Sequence, residues 1–167
     1  MKNCGSVLSN QLAALYGDTE IISAFAFATI LLNAFLTSTM QYLVPIEYLQ
    51  SDILVWVGLG LIHLAFLIIF IAQRNMANEW RIGIDNENKV NLITKGMFGI
   101  SRNPIFLGVI IVFIGLFLII PNAVTVVILV SGVIVIQVQV RLEEEFLLNQ
   151  LGNEYKEYMS KVKRWIF

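Results

Sequence analysis

The sequence predicts an all-α polytopic membrane protein with about four transmembrane helices, a tight hairpin between the last two and a C-terminal amphipathic helix. Hydrophobic residues make up 57% of the 167 residues and charged residues only 14%, which is outside the usual range of soluble domains. Four apolar stretches approach the roughly 20 residues that a helix needs to cross a bilayer. They lie at about 21–43, 53–72, 104–120 and 123–140.

The distribution of basic residues predicts how these spans are oriented. All eleven Lys and Arg residues lie in the N-terminal tail, the polar segment 74–103 or the C-terminal tail 141–167. None lies in 44–52 or at 121–122. Because basic residues concentrate on the cytoplasmic side of a membrane, we expect a multi-pass protein with both termini and the 74–103 segment in the cytoplasm.

Composition also limits the partners. We expect one membrane domain over 1–167, in which 1–73 supplies the N-terminal spans and 74–167 carries the candidate site, with the lipid bilayer as its surroundings. The net charge of −1 and the scattered basic residues provide no basic surface, so a nucleic-acid partner is not expected. Cys4 is the only cysteine, and no metal site is predicted.

Two connections between spans differ in character. Pro121 and Asn122 alone separate the last two apolar stretches, and this pair ends one helix and opens a turn, which predicts a tight antiparallel hairpin. The connection 74–103 contains 30 residues, longer than connections usually are unless they carry function. It is the first place to look for a site.

A polar and charged run follows the last apolar stretch without a break. Four of its residues share one helical face at the spacing i, i+4, i+7 and i+8, namely Gln137, Arg141, Glu144 and Glu145. Gln139 and Glu143 form a second i, i+4 pair beside them. On spacing alone these groups fit a membrane boundary with paired, snorkelling charges, or a polar face turned toward the interior of the bundle.

The stretch "RNPIFLG" opens the third span. Arg102 stands two residues before Pro104, and proline in the first turn is a common start of a helix. Arg102 and Asn103 are therefore expected at a helix N-terminus, where free N–H groups favour an anionic ligand. Helix capping with a basic anchor at the inner leaflet is the alternative.

These two regions together resemble a known family. "RNPIFLG", a hydrophobic hairpin and "RLEEEFLLNQLGNEYKEYMSKVKRW" look like the isoprenylcysteine carboxyl methyltransferase and phospholipid methyltransferase family of integral membrane enzymes. The family pattern is Arg-His-Pro-x-Tyr, a hydrophobic stretch, Glu-Glu, then a Gly and two Tyr three residues apart. The matching positions are Glu143, Glu144, Leu147, Gly152, Tyr155 and Tyr158, with Trp80–Gly83 and Leu92–Gly96 upstream. The chain departs from the pattern at Asn103 in place of His, at Phe106 in place of Tyr, and at Met97-Phe98 after Gly96.

The resemblance implies S-adenosylmethionine as methyl donor and a lipophilic methyl acceptor, with the site at the cytoplasmic face. A guanidinium or a helix N-terminus suits the carboxylate of the donor, and carboxylates suit its ammonium and ribose hydroxyls. The implied catalytic residues are Arg102, Asn103 and Glu144. The implied cofactor-binding residues are Gly96, Arg102, Asn103, Pro104, Phe106, Arg141, Glu143, Glu144 and Tyr155.

Several alternatives stay open. The acceptor is expected to be an isoprenoid-linked carboxylate or a phospholipid amine, with a small thiol behind them. A nicotinamide-dependent membrane reductase of similar fold, and a non-catalytic membrane protein with a decayed site, are the other functions considered. We predict one amphipathic C-terminal helix over 141–162, on which Tyr155 and Tyr158 fit either a cover over the donor or a place on the membrane interface. His63, inside the second span, fits an interhelical hydrogen bond better than a functional site.

Overall fold

The described part of the chain is helical. The computed structural model describes residues 44–76 and 92–166, so the predicted first span at 21–43 and the Trp80–Gly83 motif lie outside it. We label the helices α1 Asp52–Met76, α2 Pro104–Ile119, α3 Ala123–Leu151 and α4 Asn153–Lys161, with short 3-10 helices at Glu47–Leu49 and Gly96–Gly99. Within these two ranges there is no β-strand, only an isolated bridge between Pro45 and Asn122. The all-α prediction is confirmed for the described residues.

Two of these helices are long and apolar enough to cross a membrane. They are α1 with 25 residues and α3 with 29 residues, whereas α2 is apolar but shorter, with 16 residues. Large apolar side chains on α1 face outward, as expected for a helix surrounded by lipid: Trp56, Phe66 and Phe70 are all more than half exposed. The predicted arrangement of four spans stays a prediction.

Small residues let α1 and α2 pack closely. Gly58 of α1 lies so near α2 that a Cβ atom there would be 2.7 Å from the Gly115 carbonyl oxygen. Gly108, two turns before Gly115, approaches Ala65 and Ile69 of α1 in the same way. Helices in lipid associate largely through van der Waals contact at such small residues. This contact fixes the place of α2, whose first residues belong to the candidate site.

The connection between α2 and α3 is three residues long and is held by side-chain caps. Asn122 accepts a hydrogen bond from the Thr125 backbone N–H at 2.9 Å, and the Thr125 hydroxyl oxygen accepts one from the Asn122 N–H at 3.2 Å. This reciprocal pair satisfies two N–H groups at the start of α3. Backbone bonds from Ile46 to Pro121 and from Ala123 to Val44 hold the preceding segment against the turn.

A glycine divides the C-terminal part of the chain. We predicted one amphipathic helix over 141–162, but α3 continues from the apolar stretch to Leu151 and a separate helix begins at Asn153. Gly152 between them has φ +56°, a conformation that side chains with a Cβ rarely adopt. The prediction of a single helix there is wrong, because Gly152 turns the chain so that α4 packs back on α3.

His63 forms its hydrogen bond within α1. Its Nδ1 atom lies 2.8 Å from the Leu59 carbonyl oxygen, four residues earlier, and the pair is exposed. Among the described residues His63 makes no interhelical hydrogen bond, so the predicted interhelical role of His63 stays a prediction. Close contact with α2 occurs at Gly58, whereas Gly60 has no described atom within 4 Å of a Cβ position.

Candidate functional site

Three segments meet at the start of α2. The residues before α2, the last buried turns of α3 and the tail after α4 all reach this point. The Arg102 backbone N–H donates to the Lys163 carbonyl oxygen at 3.0 Å, and the Ser101 hydroxyl donates to the Arg164 carbonyl oxygen at 3.0 Å. These bonds hold the tail alongside the N-terminus of α2, where charged side chains of all three segments come together.

Glu144 is the centre of this site. Its carboxylate is 3.1 Å from Nη2 of Arg102, and Arg164 donates to it from Nη2 at 2.5 Å and from Nε at 3.1 Å. The Glu144 and Arg102 side chains are almost fully buried, whereas that of Arg164 is 33% exposed. The hydrogen bond to Glu144 raises the pKa of Arg164. A buried carboxylate needs such partners, since an unpaired buried charge is strongly destabilising.

Asn103 completes the cluster at the position where the family pattern has histidine. It is buried, and its Nδ2 atom lies 3.5 Å from the same Glu144 oxygen that Arg102 contacts. The side chain of Asn103 makes no capping hydrogen bond to α2, although the residue is the N-cap of that helix. The side-chain amide of Asn103 therefore faces the Glu144 carboxylate and donates a hydrogen bond to it.

Glu143 differs from its neighbour. It is partly exposed, and it forms no hydrogen bond or ion pair with any residue in 44–76 or 92–166. Successive helical residues point about 100° apart, so Glu143 lies beside the Glu144 cluster but outside it. Glu144 is occupied by protein groups, whereas the carboxylate of Glu143 has no partner among the described residues.

Two tyrosines on α4 close the site from the side. Tyr155 and Tyr158 are buried, with ring centroids 5.9 Å apart, and the Tyr158 hydroxyl donates to the Phe98 carbonyl oxygen at 2.6 Å. Burial, more than the charge of Glu144, raises the pKa of both phenols, that of Tyr158 to about 12. The hydrogen bond ties α4 to the 3-10 helix Gly96–Gly99. Both rings thus lie inside the protein and not on its surface.

The other predicted site residues are placed differently. Gly96 has φ +63°, and a Cβ there would collide with the side chain of Asn75, so a glycine is needed for backbone geometry and close approach. Pro104 is buried in the first turn of α2, and Phe106 packs against the apolar core.

Arg141 is exposed and forms no ion pair with another described residue. The structure does not bring Arg141 into the cluster.

Sequence reasoning missed Arg164 and Ser101. Arg164 lies 20 residues after Glu144 and reads as one more basic residue in a tail. Ser101 is buried and also accepts a hydrogen bond from the Asn103 N–H at 3.2 Å. Only the fold of the tail onto the start of α2 pairs these residues with the site.

The comparison with protein families agrees with these motifs. The family model of phospholipid methyltransferases matches residues 53–154 of the chain. This range contains α1 except its first residue, all of α2 and α3, and the Arg102, Asn103 and Glu144 cluster. No curated protein and no solved structure matches the chain. Since the match covers well over half of the 167 residues, the protein belongs to the phospholipid methyltransferase family, which implies a membrane methyltransferase.

Proposed function

We propose that this protein transfers a methyl group from S-adenosylmethionine to a lipophilic acceptor in the membrane. The observation that carries the proposal is the buried cluster of Glu144 with Arg102 and Arg164, beside the carboxylate of Glu143, which has no partner among the described residues. The cluster joins Arg102 of the "RNPIFLG" motif to Glu144 of the Glu-Glu motif, and both motifs resemble the family pattern. Membership of a methyltransferase family supports methyl transfer as the reaction. The side chains of the cluster support S-adenosylmethionine as the methyl donor.

The side chains fit the donor. Arg102 retains a buried Nε–H that forms no hydrogen bond with any described residue, and a guanidinium N–H is well suited to a carboxylate. The acid of Glu143 suits an ammonium group or ribose hydroxyls. S-adenosylmethionine, when bound, supplies a methyl group activated by the positive sulfonium. The site thus offers Arg102 as an anion-binding group and Glu143 as a cation-binding group.

Each residue has a distinct task in this proposal. Arg102 binds the donor carboxylate, and Glu144 keeps the Arg102 side chain in position. Glu143 binds the cationic or hydroxyl-bearing part. Tyr155 and Tyr158 form a wall that excludes water, which helps methyl transfer because positioning and dehydration supply much of the rate.

The surroundings of the site suggest how the acceptor arrives. The helices present apolar side chains outward, so a lipid-like molecule reaches the site from the bilayer. A carboxylate acceptor needs no base, whereas an amine must lose a proton before it attacks. Both the isoprenoid-linked carboxylate and the phospholipid amine remain acceptor classes in this proposal. We place the site at the cytoplasmic face of a multi-pass protein, since the basic residues lie there by the positive-inside rule.

Transfer of labelled methyl from S-adenosylmethionine into a membrane lipid extract tests this function. Purified protein in detergent is incubated with both, and the label is measured in the lipid phase after extraction. We expect wild type to label a lipid and Glu143→Gln to do so at least about tenfold more slowly, because a charged hydrogen bond to the donor is lost.

The matched control is Glu145→Gln, which removes an exposed acid on the same turn of α3. It should label lipid at the wild-type rate. Equal rates for all three proteins would contradict the role of Glu143, and the absence of label in any lipid would contradict the proposed function.

A further inference from the structure

Arg164 has no task in the proposed reaction, although it is the closest partner of the central acid. Its guanidinium contacts both oxygens of the Glu144 carboxylate, from Nη2 at 2.5 Å to Oε2 and from Nε at 3.2 Å to Oε1. Arg102 reaches the same carboxylate through Nη2, at 3.1 Å from Oε1. Arg164 lies beyond residue 154, where the match with the family model ends. The family match therefore does not explain why a second guanidinium stands at this acid.

Two guanidiniums around one buried carboxylate carry one net positive charge. The side chain of Glu144 is only 6% exposed and that of Arg102 only 9%, so solvent screens little of the interaction between their charges. Without Arg164, the remaining pair of Arg102 and Glu144 would be neutral as a whole. A neutral pair attracts an anion much less than a cluster with a net positive charge does. Arg164 thus gives the cluster its preference for an anion.

Arg164 also leaves an N–H group of Arg102 unused. A carboxylate frequently takes two parallel N–H bonds from one arginine. Here Arg164 occupies both oxygens of Glu144 in that way, and Arg102 keeps a buried Nε–H that forms no hydrogen bond with any described residue. The carboxylate of the donor can accept from this N–H because Glu144 does not.

The backbone around Arg164 is held independently of its side chain. The Ser101 hydroxyl donates to the Arg164 carbonyl oxygen, and the Arg102 backbone N–H donates to the Lys163 carbonyl oxygen, both at 3.0 Å. Neither bond uses the Arg164 guanidinium. A substitution at Arg164 therefore removes the guanidinium without removing the bonds that hold the tail.

We propose that Arg164 is a positioning residue for the methyl donor, which compensates the charge of Glu144 so that Arg102 can bind the donor carboxylate. The inference rests on the proposed function and adds to it the residue that makes Arg102 available. Because Arg164 acts through Glu144 and Arg102, its effect is limited to ligands that carry a carboxylate.

Comparison of S-adenosylmethionine with its decarboxylated analogue tests this role. The two molecules share the sulfonium, the amine and the nucleoside, and differ only in the carboxylate. Full-length wild type and Arg164→Gln in detergent are titrated with each molecule by calorimetry. We expect Arg164→Gln to bind S-adenosylmethionine about fivefold more weakly than wild type does, in the range of a charge pair that solvent partly screens. It should bind the analogue no more weakly than wild type does.

Two further variants separate this charge from other effects. Arg164→Lys keeps the positive charge and should bind S-adenosylmethionine more tightly than Arg164→Gln does. Lys156→Gln removes an exposed positive charge on α4 and should bind both molecules as wild type does. Since the two ligands are compared on one preparation of each protein, the ratio of their affinities does not depend on how much of the sample is folded.

The inference is overturned if Arg164→Gln binds S-adenosylmethionine as tightly as wild type does, while the proposed function then still stands. An equal loss of affinity for both molecules also overturns it, because Arg164 would then support only the fold of the site. Failure of wild type to bind S-adenosylmethionine at all contradicts the proposed function itself.

Discussion

Glu144→Gln is expected to lower the free energy of unfolding by about 3–5 kcal/mol, the usual loss when one partner of a buried ion pair is removed. The substitution removes the negative charge that faces Arg102 and Arg164, and Arg102 has almost no access to solvent. Denaturation of the purified protein in detergent, followed by tryptophan fluorescence, measures the change. Donor binding should fall as well, because Arg102 loses the contact that orients it.

Two further substitutions locate the effect in the buried pair. Arg164→Gln should cost about 1 kcal/mol or less, since Arg164 is one-third exposed and solvent screens its interaction. Glu145→Gln alters an exposed neighbour and should leave stability unchanged. A Glu144→Gln protein as stable as wild type would show that the cluster is not a buried ion-pair network.

Gly58→Leu is expected to destabilise the packing of α1 on α2 by about 1–3 kcal/mol or more, in the range found for overpacked cores. Its first side-chain atom would stand 2.7 Å from the Gly115 carbonyl oxygen and 2.8 Å from a side-chain carbon of Ile119. Because backbone cannot yield as a flexible side chain does, the two helices must separate. Denaturation of the purified protein in detergent again measures the loss in the free energy of unfolding.

Gly60→Leu provides the matched control, because a Cβ atom at Gly60 meets no described atom within 4 Å. It changes the same residue type two positions along the same helix, and should leave stability near the wild-type value. Similar losses in both variants would mean that glycine in α1 matters for some reason other than contact with α2.

Local patterns were sufficient to predict the helices but not every boundary. The apolar runs predicted the positions of α1 and α3, and the Pro121-Asn122 pair separates α2 from α3 as expected. The break at Gly152 was missed, because the residues on both sides favour helix and only the positive φ of a glycine separates them. A glycine inside a periodic pattern does not by itself reveal whether the chain turns there.

The candidate site was predictable where the chain brings motifs together through simple topology. A helix pair joined by a three-residue turn returns α3 to the start of α2, so Arg102, Asn103 and Glu144 could be expected to meet. Arg164 reaches the same acid only through the fold of the tail, which depends on backbone bonds to residues 101 and 102. Arg141 shares the helical periodicity of Glu144, but its side chain is exposed. Periodicity shows which residues share a helical face, but not which edge of that face is buried, so the exposure of Arg141 could not be predicted.

Titration of the purified protein with S-adenosylmethionine, and separately with a nicotinamide cofactor, tests the central claim most directly. Wild type should bind S-adenosylmethionine and not the nicotinamide. Arg102→Lys keeps the charge but loses the Nε–H and the planar fork, so donor binding should weaken about tenfold or more. Arg74→Lys, at an exposed arginine near the end of α1, should bind like wild type. Binding of the nicotinamide instead, or of neither molecule, would contradict the claim that this cluster is a methyl-donor site.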